Sequence, residues 1–337
     1  MRRGPTAARL RRGGTVLAAV VLMTITGAVV SGGPANGARA AGTAVDERAP
    51  RTAVCSATVR VDCTRRVDFT VGARTRRAYV YIPPAARSRP VPMVVVVHGL
   101  RQSPRILDDR SGWTRLARRE GFAVTFPLGY WSHPEKYGYQ ASWNAGTCCG
   151  PASQRRDDVD DLRTMDVTVK VAKTMYRGNG RVYYAGFSNG AMLGYRLQCA
   201  DRGPFRAIVA VHGTVTTTTG CRPKAPRPFL AVHALKDTVV PYAGCTIRQA
   251  GTSCQQNLKA DLQPGRTVLY ALRAASGCRS TSARRYAAHT SIATSSGCRR
   301  PGPVHMTIDN AGHTWVTDKA RYGINETEVA WQFLRTK

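Results

Sequence analysis

From residue 67 onward, apolar positions fall into short strand-like runs separated by segments with helical spacing. Residues 67–71 and 78–82 predict an opening pair of strands. Residues 93–97, a methionine and four valines closed by His98-Gly99, predict a strand buried on both faces. A helix is predicted over 106–119 and a strand over 122–126. The acids at 157–161 open a predicted helix reaching about residue 176, where the positive end of the helix dipole favours them. Residues 181–186 predict a strand and 189–199 a helix. Strands at 207–211, 229–233 and 304–308 follow, with a closing helix at 326–333. Strands alternating with helices predict an α/β fold, a mostly parallel sheet with helices on both faces. The Cys-bearing stretches 241–265 and 274–302 show no period and predict irregular insertions on that one sheet. No repeat or long linker interrupts the pattern, so residues 66–337 are expected to form a single domain.

The N-terminus reads differently. Residues 1–40 hold six arginines, no acid, an apolar stretch from 16 to 30, and then a small-residue region ending in Ala38-Arg39-Ala40. That is the layout of an export signal cut after Ala40. The stretch, broken by Thr24, Thr26 and Gly27, is shorter than the ~20 apolar residues that span a bilayer. Residues 41–65 are polar and predict a mobile extension. The protein is therefore expected outside the cell, free of the membrane after cleavage.

Ten cysteines, an even number in an exported chain, predict disulfides. Nearest-neighbour loops suggest Cys55–Cys63, Cys245–Cys254 and Cys278–Cys298. Adjacent Cys148 and Cys149 are expected to pair with distant partners, because a vicinal bridge strains the backbone. No Cys-x-x-Cys occurs, and neither a metal nor an organic cofactor is expected.

With 43% hydrophobic and 21% charged residues, collagen-like, coiled-coil and wholly disordered chains are excluded. Lys plus Arg number 50 against 20 acids, a net charge of +30. Such a field favours anionic partners. The arginines are scattered, however, and no recognised nucleic-acid module is present, so nucleic acid is not an expected partner. A non-catalytic polyanion-binding protein is the reading that charge alone would support.

Gly186-Phe187-Ser188-Asn189-Gly190 carries chemistry. A G-x-S-x-G between a strand and a helix makes a turn so tight that the flanking positions need almost no side chain. The serine hydroxyl then projects at a helix N-terminus, where amide donors favour developing negative charge. On such a turn the acid and base follow in the order Ser, Asp, His. Asp237 lies just past the strand at 229–233 and is preferred over Asp201, Asp261 and Asp309. His313, in a loop after the last strand, is preferred over His305 and His289, and His212 and His233 read as structural. The oxyanion donors are expected to be the N–H groups of Asn189 and Leu100, with His98 anchoring the loop. Trp143 and Trp315 are candidates for a substrate wall. Asp160 and Asp161 read as helix caps.

The chain resembles the secreted esterases that group polyhydroxybutyrate depolymerases with feruloyl esterases among the α/β-hydrolases. The resemblance rests on His98-Gly99, the run from Ser142 to Gly150, Val159-Asp160-Asp161, the serine turn, Asp237 to Tyr242 and Gly312-His313-Thr314-Trp315. It implies Ser188, Asp237 and His313 as a triad hydrolysing carboxylic esters. The chain departs from the family in His233-Ala234, where His-Gly is usual. Feruloyl or acetyl esters of plant polysaccharides, or small soluble esters, are expected substrates, with polyhydroxyalkanoate the alternative. That preference rests on residues 41–337 leaving no room for a linker and granule-binding module. The positive surface would favour uronic-acid-bearing polymers. A monomer is expected.

Overall fold

The computed structural model describes residues 48–130, 141–154 and 158–337. The expected export signal, and residues 41–47 of the expected extension, lie outside them.

Ten strands form one sheet in the order β1-β2-β4-β3-β5-β6-β7-β10-β9-β8. The hairpin β1 (Cys63–Val71) and β2 (Arg74–Ile82) is antiparallel, and β2 pairs antiparallel with β4 (Ala123–Leu128). From β4 through β3 (Val91–Val97), β5 (Gly178–Phe187), β6 (Ile208–Val211), β7 (Phe229–Ala234) and β10 (Pro303–Ile308), every neighbour is parallel. The hairpin β8 (Ser280–Ala287) and β9 (Thr290–Ser296) adds two antiparallel strands beyond β10. The sheet's two outer strands are thus β1 and β8.

Period-two alternation divides the core between the two faces. Met93, Val95 and Val97 of β3 join one cluster, and Val94 and Val96 join the other. The expected four-valine run therefore needs apolar neighbours on both sides. Helices α1 (Pro104–Ser111), α2 (Trp113–Glu120), α3 (Gly150–Gln154), α4 (Asp161–Lys173), α5 (Asn189–Cys199), α6 (Gly265–Ser276), α7 (Lys319–Tyr322) and α8 (Glu326–Leu334) complete the order. This is the mostly parallel α/β architecture expected from the sequence.

Four expectations need correction. The helix over 106–119 is two helices, split where Gly112 takes a left-handed φ of 70° and the Asp108 carboxylate accepts the Thr114 N–H at 2.8 Å. The stretch 274–302 is not irregular: it holds β8 and β9. Residues 48–65 are fastened, through Cys55–Cys63, a Val54–Thr64 bridge and the start of β1, rather than free. Finally, Cys148 pairs with Cys149, because the other eight cysteines pair among themselves and these two lie buried beside Met192. The three bridges suggested by loop length are present, and Cys199–Cys221 is a further one. Among the described residues, no helix is long and apolar enough to cross a membrane.

Candidate active site

β5 runs into α5 through Ser188, whose φ of 54° and ψ of −120° place it outside the ordinary regions for an L-residue. The turn survives because its neighbours are glycine. A Cβ on Gly186 would lie 2.5 Å from the Gly190 carbonyl oxygen, and one on Gly190 would lie 2.3 Å from that of Val97. Backbone cannot yield there, so the serine turn and the end of β3 are packed as one piece.

Asp237 follows β7 by three residues. Its Oδ1 accepts the N–H groups of Val239 and Val240, each at 2.8 Å, which leaves Oδ2 aimed at His313. His313 sits in the loop after β10, with Nδ1 2.7 Å from Asp237 Oδ2 and Nε2 2.9 Å from Ser188 Oγ. Three residues spread over 126 positions of sequence thus form one hydrogen-bonded line. Nδ1–H donates to the carboxylate, which leaves Nε2 as the acceptor for the serine proton. The rival acids are engaged elsewhere. Asp201 accepts the amides of Lys224 and Ala225, Asp261 accepts that of Ile247, and Asp309 pairs with Arg285. His289 lies at the β8–β9 turn.

Two amides are available beside the serine. Asn189 N–H is in the first turn of α5, where no intrahelical acceptor exists. Leu100 follows Gly99, and a Cβ on Gly99 would stand 3.1 Å from Ser188 Cβ, so the loop after β3 passes against Ser188. His98 anchors this loop. It is wholly buried, Nδ1–H donates to Gly99 O at 2.7 Å, and Nε2 accepts Gly129 N–H at 2.9 Å. Burial pushes its imidazole down to about 4, so it stays neutral in this role.

Trp143 and Trp315 do not form a substrate wall. Trp143 is fully buried, its indole N–H donates to His98 O at 2.8 Å, and its own backbone is gripped by the Asn189 side chain. Trp315 is 4% exposed and packs behind Phe187, with its N–H on Thr327. Phe187 in turn lies 5.0 Å from the His313 ring. Trp315 therefore backs Phe187 and the His313 ring rather than facing open space. Chain proximity to a motif says nothing about which way a side chain points.

Asp160 caps α4 as expected, accepting Arg163 N–H. Asp161 does something else. It is wholly buried, with Oδ1 2.6 Å from the Arg76 guanidinium and Oδ2 accepting Asn144 N–H at 2.6 Å. The Asn144 carbonyl also accepts from Arg196 at 2.6 Å. The segment carrying Trp143 is thereby tied to β2, α4 and α5.

A second buried pair lies behind the base. His212 Nε2 is 2.9 Å from Glu326 Oε1, and both side chains are inaccessible. Glu326 Oε2 accepts Val316 N–H at 2.7 Å, three residues past His313. Burial opposes charge on His212, but the Glu326 carboxylate outweighs it and raises the imidazole above its ordinary value. No local pattern could reveal this contact, since the partners are far apart in sequence. Among the described residues no cluster of three or more His, Cys, Asp or Glu side chains is placed to hold a metal ion.

Comparison with known proteins adds a class. Residues 77–221 match the family model described as Esterase PHB depolymerase. The chain is 27% identical over 264 residues to "Putative esterase NocK" of Nocardia uniformis subsp. tsuyamanensis, covering 74% of this chain and 73% of that one. It is 26% identical over 183 residues to "Probable feruloyl esterase C" of Aspergillus oryzae, covering 52% and 57%. An acetyl xylan esterase structure from Aspergillus awamori superposes with a TM-score of 0.53 at 15% identity, over 81% of this chain and 99% of that one. This last likeness speaks for the fold.

Proposed function

Because the chain is a carboxylic ester hydrolase of the esterase and polyhydroxybutyrate-depolymerase-like family, we propose that Ser188, His313 and Asp237 are its catalytic triad. The observation that carries the reading is the pair of hydrogen bonds at His313, 2.9 Å to Ser188 Oγ and 2.7 Å to Asp237. Ser188 Oγ attacks the ester carbonyl carbon while His313 Nε2 takes its proton. Asp237 holds the imidazole in the tautomer that can accept and stabilises the imidazolium that forms. The N–H groups of Leu100 and Asn189 receive the charge on the carbonyl oxygen. The tetrahedral intermediate collapses, the alcohol leaves with the proton from His313, and the acyl group remains on Ser188. Water then repeats the sequence, releasing the acid and restoring the hydroxyl.

The substrates in this reading are feruloyl or acetyl esters on plant polysaccharides, or small soluble esters, handled outside the cell. The names of two relatives, a feruloyl esterase and an acetylxylan esterase/xylanase from Neocallimastix patriciarum, support it. The latter is 25% identical over 152 residues, 45% of this chain and 20% of that one. Disulfides throughout the described chain support export. The family description favours one second reading, hydrolysis of polyhydroxybutyrate.

A fluorophosphonate should label the wild-type protein and not Ser188→Ala. Turnover of methyl ferulate, acetylated xylan and a polyhydroxybutyrate film then separates the readings. Clearing of the film without release of ferulate or acetate overturns the first.

A further inference from the structure

α6 packs on β10 beside the added hairpin, and helix and hairpin together line a groove. Arg266, Leu269, Tyr270 and Arg273 follow one another at the spacing of a single helix stripe and form one wall. The floor is the sheet. Thr281 pairs with Ser295 across β8 and β9, and Ala293 pairs with His305 across β9 and β10, so these residues share one face. Thr281, Ala293 and Ser295 are short, which leaves space between the helix and the sheet. Tyr242, from the loop after Asp237, stacks on the His305 ring at 5.4 Å and forms the end of the groove.

The charge in this groove is one-sided. Among the described residues neither Arg266 nor Arg273 has a carboxylate partner, and no acid lines the groove. Arg273 Nε is buried without a hydrogen-bond partner. A buried donor left unmatched costs free energy that a ligand acceptor would recover. Beside these guanidiniums stand an exposed ring, Tyr270, and the hydroxyls of Thr281 and Ser295. A guanidinium fork matches a carboxylate, an aromatic face takes the apolar side of a sugar ring, and hydroxyls bond its hydroxyl groups.

We propose that this groove binds a hexuronic acid unit of an acidic polysaccharide, as a site separate from the Ser188 centre. The proposal rests on the polysaccharide-ester reading above and gives it a docking point that recognises the carrier rather than the scissile ester. The groove also touches the catalytic framework. His305 Nε2 is 3.2 Å from His233 Nδ1, and His233 Nε2 donates to the carbonyl of Gly213, the residue packed against the Ser188 backbone.

Binding of a tri-galacturonate to the full chain, followed by calorimetry and by tyrosine fluorescence, tests the proposal. Arg266→Gln/Arg273→Gln should weaken binding at least tenfold, and Arg273→Lys should lose less. Arg222→Gln/Arg248→Gln, which removes two exposed charges elsewhere, should bind as wild type. Hydrolysis of methyl ferulate should be unchanged in all of these proteins, which also verifies that they fold. Equal loss in the control pair means diffuse charge attraction and overturns the site. So does unweakened binding by the groove variant, or tighter binding there of xylotriose or of free ferulate. Saturable galacturonate binding in a protein that turns over no polysaccharide-type ester would leave the groove standing and refute the substrate reading instead.

Discussion

Asn189 grips Trp143 by both backbone groups, its Oδ1 accepting the Trp143 N–H at 2.7 Å and its Nδ2 donating to the Trp143 carbonyl at 3.1 Å. The residue proposed to offer an oxyanion amide thus also fixes the segment whose indole supports His98. Loop, strut and nucleophile are mutually positioned through one side chain.

Asn189→Ala keeps the amide but leaves two buried backbone groups unmatched. Stability should fall by about 2 kcal/mol, and kcat should drop tenfold or more with KM little changed. Urea unfolding and steady-state kinetics on a p-nitrophenyl ester measure both. Unaltered kcat in a destabilised protein would show that the grip serves the fold alone.

Trp315→Phe separates a buttress from a binding face. The lost hydrogen bond to Thr327 and lost packing should lower stability by about 1–2 kcal/mol. KM for feruloyl and for acetyl esters should stay within twofold. A tenfold rise in KM confined to feruloyl esters would restore Trp315 to the substrate wall.

Asp108 is almost buried, and that burial pushes its carboxyl up to about 6, against the opposing hydrogen bond from Thr114. The folded chain therefore holds its proton where the unfolded chain has lost it, and stability declines as pH climbs from about 4 through 6. Asp108→Asn should remove that decline. The variant should match wild type near pH 4 and exceed it at pH 7 by on the order of 2 kcal/mol. A variant weaker than wild type at pH 7 would mean that Thr114 holds the ionised form well.

For Glu326→Gln the pH dependence has the same sign for a different reason. The Glu326 carboxylate raises the His212 imidazole above its ordinary value, so the pair's contribution to the fold is full below 6.5. That contribution fades as pH rises through the raised value. Removing the carboxylate should cost about 3 kcal/mol at pH 5.5 and much less at pH 9, by urea unfolding. A cost that grows with pH would contradict a charged pair.

The candidate site is legible in the sequence where chemistry and topology coincide. Ser188 was legible because Gly186 and Gly190 have no steric substitute, and Asp237 and His313 because both follow apolar runs that end at one edge of the sheet. The parallel core was legible for the same reason: strands such as β3, buried on both faces, must be continuously apolar. β8 and β9 were not. Their Ser, Thr and Arg positions face solvent on most sides, so burial imposes no alternation to read. Arg76–Asp161 and His212–Glu326 were equally silent, since a buried ion pair is two polar residues in unrelated segments until the fold joins them. Trp143 shows the converse error, an aromatic near a motif taken for its surface.

The outer strands give the arginine excess a local meaning. β8 carries Arg284-Arg285 on a strand whose outward backbone groups meet no further strand among the described residues, and β1, which carries Arg65-Arg66, meets only the short segment at Val54 beyond it. An unpaired strand is a template on which another molecule can grow, and long open sheets are prone to stack edge to edge into aggregates. Two copies meeting through β8 would have to crowd four guanidiniums along one ladder. The charge that sequence composition presents as a diffuse field thus also lies along the sheet's margins, where like charges oppose edge-to-edge growth.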